Sequence, residues 1–320
     1  MKKGLGIFYV WYCLLQCFYL GGYAYDLKVL RKWYPNYNRY HYWVGVEDFH
    51  DKTHTANAPQ RVKIEESLPC HNPKDLLVLV EDLSSVNDAG RVGCGPYYIN
   101  SRVGILAGLG IFCRLNSIPV FNVEYRYCRV VGLGPVINNI TTDPALFPSV
   151  QKVTIGQLAH EIDRVRTDLL LGNTKDAFKT LIQEKAREVT QEMKQLHLMQ
   201  DYKKTVADYL KTNSTPLARL DLVQKLLTFD GIFIGLKFAH ATMQKAPNTL
   251  KIIALGGGTH INEAYEILQK IDNWEPVIHA QSNNGPSSAI SKSIGSSTDA
   301  LNGSKPKPVS LELLEHYLKN

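Results

Sequence analysis

The sequence predicts an α/β fold: a mostly parallel sheet with helices on both faces and an all-helical insertion before the last βαβ unit. Continuous apolar runs at 75–80 and 250–255 match parallel strands covered on both faces. Helical patterns alternate with these runs, as right-handed crossovers require. A long stretch at 154–245 keeps the helical period and holds no strand pattern.

The elements follow in order. Residues 1–24 carry Lys2 and Lys3, an apolar run over 5–20, and then Gly21, Gly22 and Ala24, which is the pattern of a secretory signal peptide. Cleavage after Ala24 is expected, placing the protein outside the cell or in a periplasm. The rival reading is a membrane anchor, for which the run is short of the roughly 20 residues that a span needs. No second run of this kind follows, so no membrane span is expected after cleavage. Residues 25–281 then form a single α/β domain. Its strands are predicted at 42–46, 75–80, 118–123, 250–255 and 276–280, and its helices at 59–67, 101–116 and 262–271. In the insertion, Leu158, Ile162, Val165 and Leu169 step by four, three and four. Ala177, Leu181, Ile182, Ala186, Val189 and Met193 resume the stripe after Gly172 and Asn173. Two or three helices therefore cover one side of the sheet, and the Lys and Glu residues on their outer faces read as a solvated surface. Residues 282–308, rich in Ser, Asn, Gly and Pro, read as a flexible linker, and 309–320 as a short C-terminal helix.

Composition excludes several classes. The chain has 320 residues with 44% hydrophobic and 21% charged, enough to bury a full core. Its net charge of +6 falls to about +4 once a segment carrying Lys2 and Lys3 is removed, too small an excess to indicate a nucleic-acid partner. The aromatic and basic stretch 31–43 is accordingly read as a packed strand. The run Gly256-Gly257-Gly258 lacks dinucleotide-binding spacing, and neither a P-loop nor a serine-hydrolase elbow is present. Cys70, Cys94, Cys113 and Cys128 are even in number, compatible with disulfides after export and equally with buried thiols.

Ligands of open parallel sheets bind beyond the carboxyl ends of the strands, so the residues leaving each strand are the candidates. The first strand exits through Glu47 and His50, the second through Glu81, the third through Glu124, Tyr125 and Tyr127, and the fourth through Gly256, Gly257, Gly258 and His260. Carboxylates and imidazoles brought together can hold a metal, shuttle protons or bind a polar ligand. Glu47, His50, Glu81, Glu124 and His260 are the catalytic candidates. His50, His260 and Glu81 could ligate a divalent metal, and the three glycines allow close approach of a ligand.

The run Glu47-Asp48-Phe49-His50-Asp51 with His54 and Gln60, the strand ending in Glu81, and Gly256-Gly257-Gly258-Thr259-His260 together resemble three short motifs of the ChaN-like, erythromycin-esterase-like and TraB–Tiki proteins. That resemblance implies an α/β domain with one pocket lined by His and Glu. It implies haem or iron handling in some branches, where Tyr125 or Tyr127 would be available to the iron, and metal-assisted or acid–base hydrolysis in others. The expectation is therefore a hydrolase-like protein, the alternatives being a haem, iron or polar-ligand binding protein and an inactive secreted interaction protein.

Overall fold

A computed structural model describes residues 27–48, 68, 74–81, 109–126, 154–171, 174–213, 222, 225–226, 228–229 and 231–278. The signal segment, the helix at 59–67, the linker and the C-terminal helix lie outside the described residues, as do Cys70, Cys94 and Cys128. Cys113 is buried in the core.

Six strands form one mixed sheet: β1 (Leu27–Tyr34), β2 (Arg39–Asp48), β3 (Leu76–Val80), β4 (Val120–Asn122), β5 (Lys251–Gly257) and β6 (Glu275–Ile278). Their order is β4-β3-β5-β2-β1-β6. The pairs β4–β3, β3–β5 and β5–β2 are parallel, whereas β2–β1 and β1–β6 are antiparallel. The molecule is thus α/β with a mostly parallel sheet. The stretch 31–43, read from the sequence as one packed strand, divides between two: it holds the end of β1, a turn and the start of β2. β1 pairs with β2 through a tight connection in which Asn38 takes a left-handed conformation, and it carries the antiparallel edge strand β6.

Six helices are described: α1 (Leu109–Leu115), α2 (Ile155–Leu170), α3 (Asp176–Gln195), α4 (Val206–Asn213), α5 (Ile234–Lys245) and α6 (Gly258–Asp272). Thr154 and Gln157 cap α2 reciprocally, each side chain bonding the other's backbone N–H. The expected stripe is realised in α2, where Leu158, Ile162, Val165 and Leu169 are all buried; in α3 Ile182, Val189 and Met193 are buried and Leu181 and Ala186 half-buried, but Ala177 is exposed and Phe178 takes the buried place. Between 154 and 245 the described structure is helical apart from short turns and one isolated bridge from Thr154 to Thr205.

Strand residues alternate between two cores. Leu77, Leu79, Ile252 and Ala254 pack with residues of α2 to α6, while Val78, Val80, Ile253 and Leu255 pack with Leu109, Cys113 and Leu68. Burial on both faces explains why β3 and β5 read as unbroken apolar runs. Close packing also fixes Gly45 in β2, where a Cβ would lie 2.5 Å from the Trp43 ring and 2.7 Å from Ile261 of α6. Among the described residues, no helix is long and apolar enough to cross a membrane.

Candidate functional site

The carboxyl ends of β3, β4 and β5 converge on one half-buried arginine, Arg126. Glu124, two residues beyond β4, accepts backbone N–H bonds from Tyr125 (2.9 Å) and Arg126 (2.7 Å) on Oε1. The turn is held further by Asn122, whose Oδ1 accepts the Glu124 N–H at 3.0 Å. This turn folds the Arg126 guanidinium back onto Glu124, with Nε 3.0 Å from Oε1 and Nη2 2.7 Å from Oε2. Nη2 also donates to Oε1 of Glu81, the residue leaving β3. The second Glu81 oxygen accepts the Gly257 N–H at 2.9 Å, and Gly257 is the N-cap of α6. One carboxylate therefore ties the guanidinium to the start of α6, where a negative charge is favoured by the helix dipole.

His260 sits in the first turn of that helix, its Nε2 3.9 Å from Glu81 Oε1. Burial is the main influence on its pKa and holds it below the ordinary histidine value of 6.5. Glu81 pulls the other way and Arg126 reinforces the lowering. At neutral pH the ring is neutral and retains a basic nitrogen.

Arg126 and His260 line a cleft of about 1020 Å³. Its walls are α3 and α6, contributing Leu181 and Ile267 among apolar groups and an ion pair between Lys185 and Glu263. Gly231 lines the cleft beside the two polar groups, where a Cβ would stand 3.5 Å from Arg126 Nη1 and 3.6 Å from His260 Cε1. Lys185 faces the cleft and is only 22% exposed, its partner Glu263 lying across on α6.

The structure thus brings Glu81, Glu124 and His260 together. Glu47 is buried at the end of β2, opposite Gly256 in register, with Lys28 Nζ 3.7 Å away, and it does not line the cleft. His50 and Tyr127 lie outside the described residues. Tyr125 is buried beneath the site, its hydroxyl accepting the Phe233 N–H at 3.1 Å. The glycines make room for protein groups. A Cβ on Gly256 would meet the Phe238 ring at 2.7 Å and Glu81 at 3.2 Å, Gly257 supplies the capped N–H, and Gly258 opens α6.

Arg126 is the residue that sequence reasoning left without a role. Its signal was its place two residues after Glu124 in the same strand exit, since a cation among converging carboxylates has a reason to be buried with them. Comparison with protein families, with curated proteins and with solved structures found no match. The site is therefore interpreted from its own chemistry.

Two other histidines share the acid sensitivity of His260. His41 donates from Nδ1 to the Ala246 carbonyl at 2.6 Å, and His240 stacks on Phe178; burial is the main cause of lowered pKa in both. A histidine near 6.5 in the unfolded chain but lower in the fold binds its proton more readily when unfolded. This contribution to stability is intact above about pH 6.5 and is lost as pH falls below it. Urea denaturation at about pH 7.5 and about pH 5.5 is expected to show a loss of up to about 1.4 kcal/mol per histidine kept neutral. His260→Gln should reduce that loss. Equal stability at both pH values would contradict the assignment of neutral buried rings.

Proposed function

We propose that the protein is an acid–base hydrolase-like protein in which His260 transfers the proton and Arg126 stabilises developing negative charge. The observation that carries this reading is the shared contact of Arg126 and His260 with Glu81 on one wall of a large, part-apolar cleft. Neutral His260 takes a proton from the attacking water and returns it to the leaving group, work worth typically about 10²- to 10⁴-fold in rate. The Arg126 guanidinium, fixed by two carboxylates before any substrate arrives, needs no reorganisation to meet an oxyanion. Glu81 and Glu124 are positioning residues that hold Arg126. The cleft walls of Leu181 and Ile267 suit the apolar part of an ester- or amide-bearing molecule.

The described residues do not fit a divalent metal. The guanidinium occupies the space between Glu81 and Glu124, and no group of three or more candidate ligands is found among the described residues. No step is derived through such an ion. The motif resemblance to the ChaN-like and erythromycin-esterase-like proteins agrees with hydrolysis, and the leader pattern of residues 1–24 agrees with action after export.

The test is turnover of a panel of ester, amide and phosphoester substrates by wild type and His260→Ala. Hydrolysis reduced about 10²-fold or more in a variant of unchanged melting temperature is the expected result. Saturable binding of panel compounds without turnover would replace this reading with that of a polar-ligand receptor.

A further inference from the structure

A second, smaller cavity of about 240 Å³ shares no lining residue with the cleft and is lined by Thr174, Lys175, His240, Met243, Gln244, Pro247 and Asp272. His240, Met243 and Gln244 are spaced to share one face of α5, while Thr174 and Lys175 immediately precede α3. Two of its polar atoms have no hydrogen-bond partner among the described residues: Thr174 Oγ1 and His240 Nε2, both buried. Thr174 is only 7% exposed. Buried polar atoms left without partners are costly, and two of them lining one cavity indicate something that completes them.

The charge around the cavity indicates what that is. Asp272 is the carboxylate lining it among the described residues, and it is already taken by two ammonium groups, Lys175 Nζ at 2.6 Å and Lys32 Nζ at 2.8 Å, both on Oδ1. Its Oδ2 accepts the Trp274 indole N–H at 2.8 Å. Two lysines against one carboxylate leave a positive excess. Lys175 uses two of its donors on Asp272 and the Ile271 carbonyl, which leaves a third. The Thr174 hydroxyl, the His240 ring and the Gln244 amide complete a set rich in donors.

We propose that this cavity binds a small oxyanion of carboxylate or phosphate size, held by Thr174, Lys175 and His240. The space exceeds that of a single water, whose share of liquid volume is about 30 Å³, and is too small for the substrates that would fill the main cleft.

The test is calorimetric titration of the full chain with inorganic phosphate and, separately, acetate. Saturable binding of one of them is expected, weakened about tenfold in Thr174→Val, the loss that follows from removing one hydrogen bond to a charged ligand. His240→Phe, which keeps a ring beside Phe178 but removes the nitrogen, should weaken it similarly and serves if the first variant does not fold. His260→Ala, in the other cleft, should leave the binding unchanged. Absence of saturable binding with both anions would overturn the proposal and leave a water-filled cavity. Binding that survives both Thr174→Val and His240→Phe, or that His260→Ala abolishes, would overturn it by placing the anion elsewhere.

Discussion

Replacing Arg126 with Met is expected to destabilise the protein by about 3 to 5 kcal/mol, the cost of leaving buried charges without their partner. Glu81 and Glu124 are almost fully enclosed, with side chains 3% and 0% exposed, and a single guanidinium spans them. Methionine fills much of the volume but leaves two carboxylates facing each other. Adding Glu81→Gln and Glu124→Gln to the same chain should recover a large part of the loss, because the repulsion is then gone. Arg126→Lys should recover less, since an ammonium cannot make the fork of parallel bonds to Glu124. Chemical denaturation of the four proteins measures this directly. An Arg126→Met chain within about 0.5 kcal/mol of wild type would mean that the cluster is not buried as described.

Asp272→Ala is the second substitution with a large expected effect, about 1 to 3 kcal/mol, because it leaves the buried Trp274 indole N–H without its acceptor and removes the carboxylate that joins Lys32 and the half-exposed Lys175. Asp272 closes α6 and is 4% exposed, in a position where the helix dipole disfavours an acid. It is retained by what it joins: Lys32 from β1, Lys175 ahead of α3, and the Trp274 indole just before β6. Burial raises the Tyr34 phenol above its ordinary pKa, and the Asp272 charge adds to that. Asp272→Asn keeps an acceptor for Trp274 and should cost less than Asp272→Ala. Equal losses in the two variants would show that the charge, and not the indole bond, carries the effect.

Legibility in the sequence followed the physics of each element. β3 and β5 were readable because both faces are buried, so apart from Lys251 at the start of β5 no polar residue interrupts them before the exit. β1 was not readable as a separate strand. Lys28, Arg31 and Lys32 make its pattern look solvated, whereas they reach Glu47, Glu275 and Asp272, partners far along the chain that a local pattern cannot supply. The same limit applies to Lys185, whose partner Glu263 lies on another helix.

Within the site, the strand-end rule located Glu81, Glu124 and His260, since parallel strands of similar length bring their exits to one edge. It did not show that Arg126 would be the hub, because the direction of a side chain depends on the turn made by Asn122 and Glu124. Nor did it show the cleft walls, which depend on how α3 packs beside α6. The glycine run was read as space for a ligand, and the space at Gly256 is filled by Phe238 and Glu81.

The central claim is that a neutral His260, held beside Glu81 and Arg126, performs proton transfer in the cleft. It is tested most directly by the pH dependence of kcat/KM for a hydrolysed panel substrate. The rate should rise with pH along an acid limb whose apparent pKa lies below 6.5, then level off toward neutrality, with that limb missing from the residual activity of His260→Ala. An identical limb and comparable rates in the variant, or no hydrolysis of any substrate by the wild type, would contradict it.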